Sequence, residues 1–371
     1  MKKYIVVLLA FMSSFFLLLV ARNSAGASNT FQVDVLEHGE YIAAIAGCVD
    51  CHTPFLAEYQ GPAQMNLDQL KLLSFNLGAT QDRQAKLLAG GRPFDLGPAG
   101  VLLTRNITPD AETGIGSWTD EQIKLAIKTG VSPDGKLLFP VMPYHVYKTM
   151  ADADLDALMA YLRSIPPVQN NIPKSTISTE GLPIPPYETG IVAPDQSDKA
   201  ARGAYLVNSV MGCTDCHTPV DPITGAPQID KYLAGRQPYE GPWGIVYGGN
   251  ITPDSETGIG AWTDEEITRA IMSGVGKDGR RLIFMPWFNY VTLKSEDAEA
   301  VVYYLKNVLP AVKNEIPAPA LNEGFEEMAP ETQNQLPAGS ATLSPVILVV
   351  VGVAVILLVS VSIAFARRKS G

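Results

Sequence analysis

The chain has 371 residues, enough for about two ordinary domains with flanking anchors. It carries 28 Lys and Arg against 38 Asp and Glu, a formal net charge of −10. That acidic balance disfavours nucleic acid as a partner.

The N-terminus opens with Lys2-Lys3, followed by an apolar run from Tyr4 to Val20 and the small-residue pattern Ala25-Gly26-Ala27. This reads as a secretory signal peptide over residues 1–27. The alternative is a retained N-terminal anchor, because the 17-residue run exceeds the usual signal core of roughly 7–15.

The most informative element follows, and it occurs twice: Cys48-Val49-Asp50-Cys51-His52 and Cys213-Thr214-Asp215-Cys216-His217. In an exported chain, Cys-x-x-Cys-His is the attachment signature of haem c. Two thiols three positions apart each add to one vinyl group of the porphyrin, and the adjacent imidazole reaches the iron. A zinc site would need further Cys or His at ligand spacing, and a redox dithiol needs no following His. All four cysteines lie in these motifs, so none remains for a disulfide or a thiol nucleophile. The expected cofactors are two covalently bound haem c groups, on Cys48 and Cys51 and on Cys213 and Cys216, with His52 and His217 as axial ligands.

Around the motifs a whole unit is duplicated. Gly39-Glu40-Tyr41-Ile42 precedes the first and Gly203-Ala204-Tyr205-Leu206 the second, each on an expected helix. Leu88-Ala89-Gly90-Gly91-Arg92-Pro93-Phe94 is echoed by Leu233-Ala234-Gly235-Arg236-Gln237-Pro238-Tyr239, and the run Asn106 to Glu121 returns at Asn250 to Glu265 with two differences. Such repetition outranks any argument from composition. The first copy carries 21 extra residues between Cys48 and Asn106, placed around Glu58 to Lys86 and read as a surface elaboration. Thr119 with Gln122, and Thr263 with Glu266, have capping-box spacing ahead of helices that Gly130 and Gly274 end. A last helix is expected near Asp152 to Ser164 and Ser295 to Asn307. The Asn-Ile-Thr triplets match a glycosylation sequon but read as turn residues within the repeat.

The sixth iron ligand separates a carrier from an enzyme. Met142-Pro143-Tyr144 and Met285-Pro286-Trp287 recur in register, and a thioether favours the ferrous state and raises the potential. Met142 and Met285 are therefore the expected axial partners. The second copy is one residue shorter before its methionine, so its loop is expected to differ. Trp118 and Trp262, which recur, and Arg92 and Arg236, offset by one position, are candidate contacts to haem propionates; packing explains the tryptophans equally well. His38 and His145 are unrepeated and read as solvated or core-edge residues.

Residues 169–197 form a Pro-rich linker and 315–344 an acidic, Pro-containing tether. Val346 to Ala366 is uncharged and is followed by Arg367-Arg368-Lys369. This predicts a C-terminal transmembrane helix over 345–366 with a cytoplasmic basic stop, and haem domains on the periplasmic side of the inner membrane. Six of the basic residues lie in the two flanks, so the stretch between them carries 22 basic and 38 acidic side chains.

Taken in order, the GxY(I/L) start, CxxCHTP, a Gly-Arg-Pro element, NITPDxETGIGxWTDE, a Gly-ended helix and Met-Pro-aromatic resemble class I cytochrome c domains. In particular they resemble the multihaem cytochrome c subunits of membrane-bound alcohol, aldehyde and gluconate dehydrogenases. The likeness covers residues 36–168 and 198–314. It implies an all-α fold of two tandem class I cytochrome c domains and a role carrying electrons between a periplasmic or membrane dehydrogenase and the respiratory chain. The implied partners are a dehydrogenase subunit, an oxidase or a quinol-oxidising complex. Those subunits usually have three haem domains, whereas this chain has two and a membrane helix. An alternative is a dihaem enzyme, a peroxidase or a sulfur-compound dehydrogenase, with one haem open to substrate. A haem-based sensor is disfavoured by the lack of a cytoplasmic output domain.

Overall fold

Two rounds of the same helical unit follow one another, and local sequence sets where each helix starts and stops. The computed structural model describes residues 34–53, 85–96, 100–175, 177–221, 225–241 and 243–322. The first half runs α1 (residues 34–45), α2 (Cys48–His52), β1 (Pro93–Asp95), β2 (Val101–Leu103), α3 (Asp120–Thr129), α4 (Tyr144–Tyr147) and α5 (Asp152–Ser164). The second runs α6 (Lys199–Tyr205), α7 (Cys213–His217), β3 (Pro238–Gly241), β4 (Gly244–Tyr247), α8 (Asp264–Ser273) and α9 (Ser295–Tyr303), and closes on β5 (Ala320–Leu321). The expected signal or anchor, nearly all of the first-copy insert, and nearly all of the tether with its apolar run lie outside the described residues. Among the described residues no helix is long and apolar enough to cross a membrane.

Both capping boxes form. Thr119 Oγ1 accepts from the Gln122 N–H and the Gln122 side chain accepts from the Thr119 N–H, and Thr263 and Glu266 repeat the exchange. α3 and α8 end on Gly130 and Gly274 in the left-handed region, at φ 76 and 64°. The Asn-Ile-Thr turns are internal. Asn106 is buried, with its amide on Thr113 Oγ1 and the Val168 carbonyl, and Asn250 does the same with Thr257 and Val312.

Besides the helices there are two small antiparallel sheets, β1–β2 and β3–β4–β5, which the helical sequence pattern does not signal. Two π-helical turns, Leu206–Val210 and Tyr304–Val308, occur in the second half alone among the described residues. Gly39 precedes Cys48 by nine positions but Gly203 precedes Cys213 by ten; Tyr161 precedes Val168 by seven but Tyr304 precedes Val312 by eight. Each extra residue is absorbed as one wide turn, which keeps the flanking residues in register.

Helix contact in each half depends on a glycine. A Cβ at Gly39 would lie 2.0 Å from the Ala157 carbonyl oxygen, and one at Gly203 2.0 Å from that of Ala300. α1 thus crosses α5, and α6 crosses α9, at backbone distance. Gly203→Ala is expected to cost about 1–3 kcal/mol through overpacking, read as a lower urea midpoint with an unchanged m-value.

The two halves share one apolar core, in which Ile42, Ile45, Leu155 and Leu158 join Leu206, Val210 and Val301. A crossed set of polar contacts ties them. The Tyr41 hydroxyl of the first half donates to Asp297 of the second at 2.5 Å, and the Tyr205 hydroxyl of the second donates to Asp154 of the first at 2.5 Å. Each aspartate also takes a second contact from its own half: His38 Nε2 lies 2.6 Å from Asp154, and Arg202 forks onto Asp297 at 2.8 and 3.0 Å. The pairing is a pseudo-two-fold, self-complementary interface, as duplication of an isologous contact would leave.

Burial pushes both carboxyls up, but the hydrogen bonds from His38 and Tyr205, and from Arg202 and Tyr41, outweigh it and hold them below the ordinary aspartate value. A depressed carboxyl contributes stability that is present above its unfolded pKa and lost as pH falls through the folded one. Thermal stability is therefore expected to be level from neutral pH down to about pH 4 and to fall below it. The check is calorimetry across that range, in which Tyr41→Phe with Tyr205→Phe flattens the acid limb.

The linker lies along the first half rather than hanging free. Arg105 holds the Ile172 and Pro173 carbonyls, Lys128 Nζ donates to the Glu188 carbonyl at 2.6 Å, and Asp152 accepts from the Gly190 N–H at 2.7 Å.

Candidate haem sites

Each Cys-x-x-Cys-His motif is a five-residue helix entered from a left-handed glycine, Gly47 at φ 74° or Gly212 at φ 65°. The turn directs α2 and α7 away from the preceding helix. The residue after each histidine is then locked. Thr53 and Thr218 are buried, and their hydroxyls accept from the Leu88 and Leu233 N–H groups. The His52 and His217 carbonyls accept from Gly90 and Gly235 at 2.6 Å. Leu88 and Leu233 themselves adopt positive φ, 59 and 58°, a cost that those two hydrogen bonds offset.

The imidazoles are oriented in the same way in both copies. His52 Nδ1 lies 2.7 Å from the Arg105 carbonyl oxygen and His217 Nδ1 lies 2.7 Å from that of Gly249. A carbonyl only accepts, so Nδ1 carries the proton and the ring lone pair is on Nε2. Burial holds both imidazoles below the ordinary histidine value, that is, neutral. A neutral ring with its free lone pair on Nε2 is the form an iron takes. Burial also pushes the Cys48, Cys51 and Cys213 thiols up to about 12, and Cys216 upward, so none is a free thiolate at neutral pH. Among the described residues no three His, Cys, Asp or Glu come together as a protein-only metal cage. Thioether attachment, which consumes neutral thiols, fits these residues better than a zinc site or a reactive dithiol.

Met142 and Met285 are half-buried against the core, and the chain leaves them identically. Pro143 and Pro286 have φ, ψ of −82, 53° and −80, 52°, and each methionine carbonyl accepts from the residue two positions on. The one-residue deletion is taken up before the methionine. In the first half a Met142 N–H to Phe139 carbonyl turn closes the loop. In the second, the Phe284 ring stacks on Tyr239 at 4.3 Å and tilts against Trp243 at 5.4 Å.

Of the expected propionate contacts, Trp118 and Trp262 are half-buried against the core, and among the described residues neither indole N–H has an acceptor. Arg92 pairs with Asp50, inside the first motif. Arg236 is not its counterpart: with φ 81° it stands in the place of Gly91 at 96°, and its guanidinium donates to the Glu315 carbonyl. Gln237 occupies the Arg92 position.

The structure adds contacts that repetition could have flagged. Tyr147 and Tyr290 are repeated, fully buried, and donate to the carbonyls of Ala46 and Met211 just before each motif. His145 bridges the halves: its Nε2–H donates to Asp215, inside the second motif, at 2.8 Å. A Cβ at Gly47, which enters α2, would lie 3.1 Å from the Asn289 side chain of the second half, so both Cys-x-x-Cys-His helices border the interface.

No family model matches the chain. Over 296 residues it is 29% identical to the fructose dehydrogenase cytochrome subunit of Gluconobacter japonicus, covering 74% of this chain and 52% of that one. It is 27% identical over 313 residues to the alcohol dehydrogenase (quinone) cytochrome c subunit of Gluconobacter oxydans, 78% of this chain and 58% of that one. The chain is a distant homologue of dehydrogenase cytochrome c subunits. The chain spans about half the length of those relatives. It is also 27% identical over 288 residues to a diheme cytochrome c-type protein of Cereibacter sphaeroides, of which it covers 86%. The two-fold repeat thus has a relative of nearly matching extent.

Proposed function

We propose that this chain is a membrane-anchored dihaem electron carrier, the cytochrome subunit or partner of a periplasmic or membrane dehydrogenase, passing electrons towards the respiratory chain. The observation that carries the reading is the histidine arrangement, present in both motifs of a chain homologous to dehydrogenase cytochromes: each imidazole is neutral, pinned through Nδ1 and open at Nε2. In this reading residues 36–168 and 198–314 are the two cytochrome c domains. Cys48, Cys51, Cys213 and Cys216 hold the porphyrins, and His52 with Met142 and His217 with Met285 hold the irons. The bound iron supplies a one-electron redox change. The protein's own work is to fix both ligands and hold the two attachment helices on one shared interface.

The 345–366 run is the anchor in this reading, with 315–344 setting how far the domains reach from the membrane. Intact mass and a haemochrome assay of the exported protein are expected to give two haems per chain, one after Cys48→Ser with Cys51→Ser, and none when all four cysteines are replaced. Gentle detergent extraction, affinity capture and mass spectrometry then test the partner. Recovery of a dehydrogenase supports the reading, and an oxidase or quinol-oxidising complex moves the chain later in the same route. A wild-type chain without covalent haem would overturn the proposal.

A further inference from the structure

Five charged side chains are buried among the described residues: Lys128, Asp154, Arg202, Arg281 and Asp297. Four have a facing partner, since His38 Nε2 lies 2.6 Å from Asp154, Arg202 pairs with Asp297, and Asp152 lies 3.4 Å from Lys128. Arg281 is different. It is 8% exposed, and among the described residues no carboxylate faces it. Its Nη1 donates to the Ser273 carbonyl at 3.3 Å, at the C-terminus of α8, and its guanidinium lies 5.7 Å from the centre of the Trp287 ring. Burial alone, with no neighbouring charge opposing it, lowers its pKa from the ordinary guanidinium value. A guanidinium has five N–H donors, and most of these have no acceptor among the described residues. A buried cation is costly unless an anion pairs with it.

Capping α8 does not explain the residue. Val275 bridges to Arg281 as Val131 bridges to Leu137, and the Leu282 N–H donates to Gly274 as the Leu138 N–H does to Gly130. The first half thus builds the same turn and ends the same helix with a leucine. Arg281 also lies on the loop that leads to the second iron-ligand candidate, four residues before Met285, and packs on the ring two residues after it. The anionic groups a haem c brings to such a loop are its propionates.

We propose that Arg281 binds a propionate of the second haem, at a position that Leu137 fills in the first half. This rests on the cytochrome reading above. The fit is that of a bidentate donor to a carboxylate in a partly dry site. A fixed positive charge beside an iron disfavours the ferric state, so Arg281 raises the potential of the second haem and makes the two sites unequal.

The test is spectroelectrochemistry of the full-length holoprotein carrying Arg281→Leu, Arg281→Gln or Arg281→Lys, after its haem count has been measured. The two midpoints are assigned with the Cys213→Ser and Cys216→Ser chain. Leu and Gln are expected to shift the second midpoint downward and leave the first in place, whereas Lys restores most of the shift. Gln keeps a hydrogen-bond donor for Ser273, so it tests charge even if Leu fails to fold. Midpoints unmoved in the Gln variant, with only thermal stability lost, would make Arg281 a helix cap and overturn the assignment. Fewer than two haems in the wild type would instead overturn the cytochrome reading, which the haem count reports separately.

Discussion

Arg202→Leu is expected to destabilise the folded chain by about 3–5 kcal/mol at pH 7, the cost of leaving one partner of a buried ion pair uncompensated. Asp297 is fully buried, and the substitution removes both arms of its guanidinium fork, leaving it the Tyr41 hydroxyl and the Gln196 side chain. With the cation gone, desolvation dominates and the carboxyl moves above its unfolded value. A carboxyl raised in the folded state contributes stability that is full below its unfolded pKa and lost as pH rises. The variant should therefore recover on acidification from pH 7 to about 5, where the wild type is level. Urea midpoints at the two pH values make the comparison, and adding Asp297→Asn should return part of the loss. A deficit that is the same at both pH values would show that Arg202 contributes packing, not charge.

The second large effect concerns Met142 and Met285. Replacing either by Ala is expected to open the sixth position of one iron, giving rapid carbon monoxide binding to the reduced protein at one haem per chain. The corresponding potential should fall on the order of 100 mV, since loss of a thioether ligand removes preference for the ferrous state. The wild type is expected to bind carbon monoxide slowly at both. Rapid binding by one wild-type haem at neutral pH would take that methionine out of the ligand set and favour the dihaem-enzyme alternative. The matching Pro143 and Pro286 geometry predicts that both variants respond alike, despite the shorter second loop.

The repeat was legible wherever a short stretch of chain decides the outcome. Capping boxes at Thr119 and Thr263 and the Gly130 and Gly274 stops act over four to five residues, and they form as read. The Cys-x-x-Cys-His motifs are equally local. The offset between Arg92 and Arg236 has a backbone reason: Arg236 stands at the positive-φ position of Gly91, and the partners of the two arginines, Asp50 and the Glu315 carbonyl, lie 42 and 79 residues away. His38 and His145 looked idle because their partners, Asp154 and Asp215, lie 116 and 70 residues away. Tyr41 and Tyr205 carried a clue in their repetition, yet nothing in either copy says that each tyrosine reaches into the other half.

Sequence by itself determined the duplication, the two Cys-x-x-Cys-His motifs, the capped helices and the methionine placement, since each depends on covalent spacing or hydrogen bonds within a turn or two. Tertiary structure alone decided the crossed Tyr–Asp interface, the histidine tautomers set by the Arg105 and Gly249 carbonyls, and the buried charge of Arg281, which no carboxylate faces among the described residues. Those depend on which distant groups meet and which are cut off from water. Desolvation, which makes one pairing indispensable and another absence informative, exists only once the chain has folded.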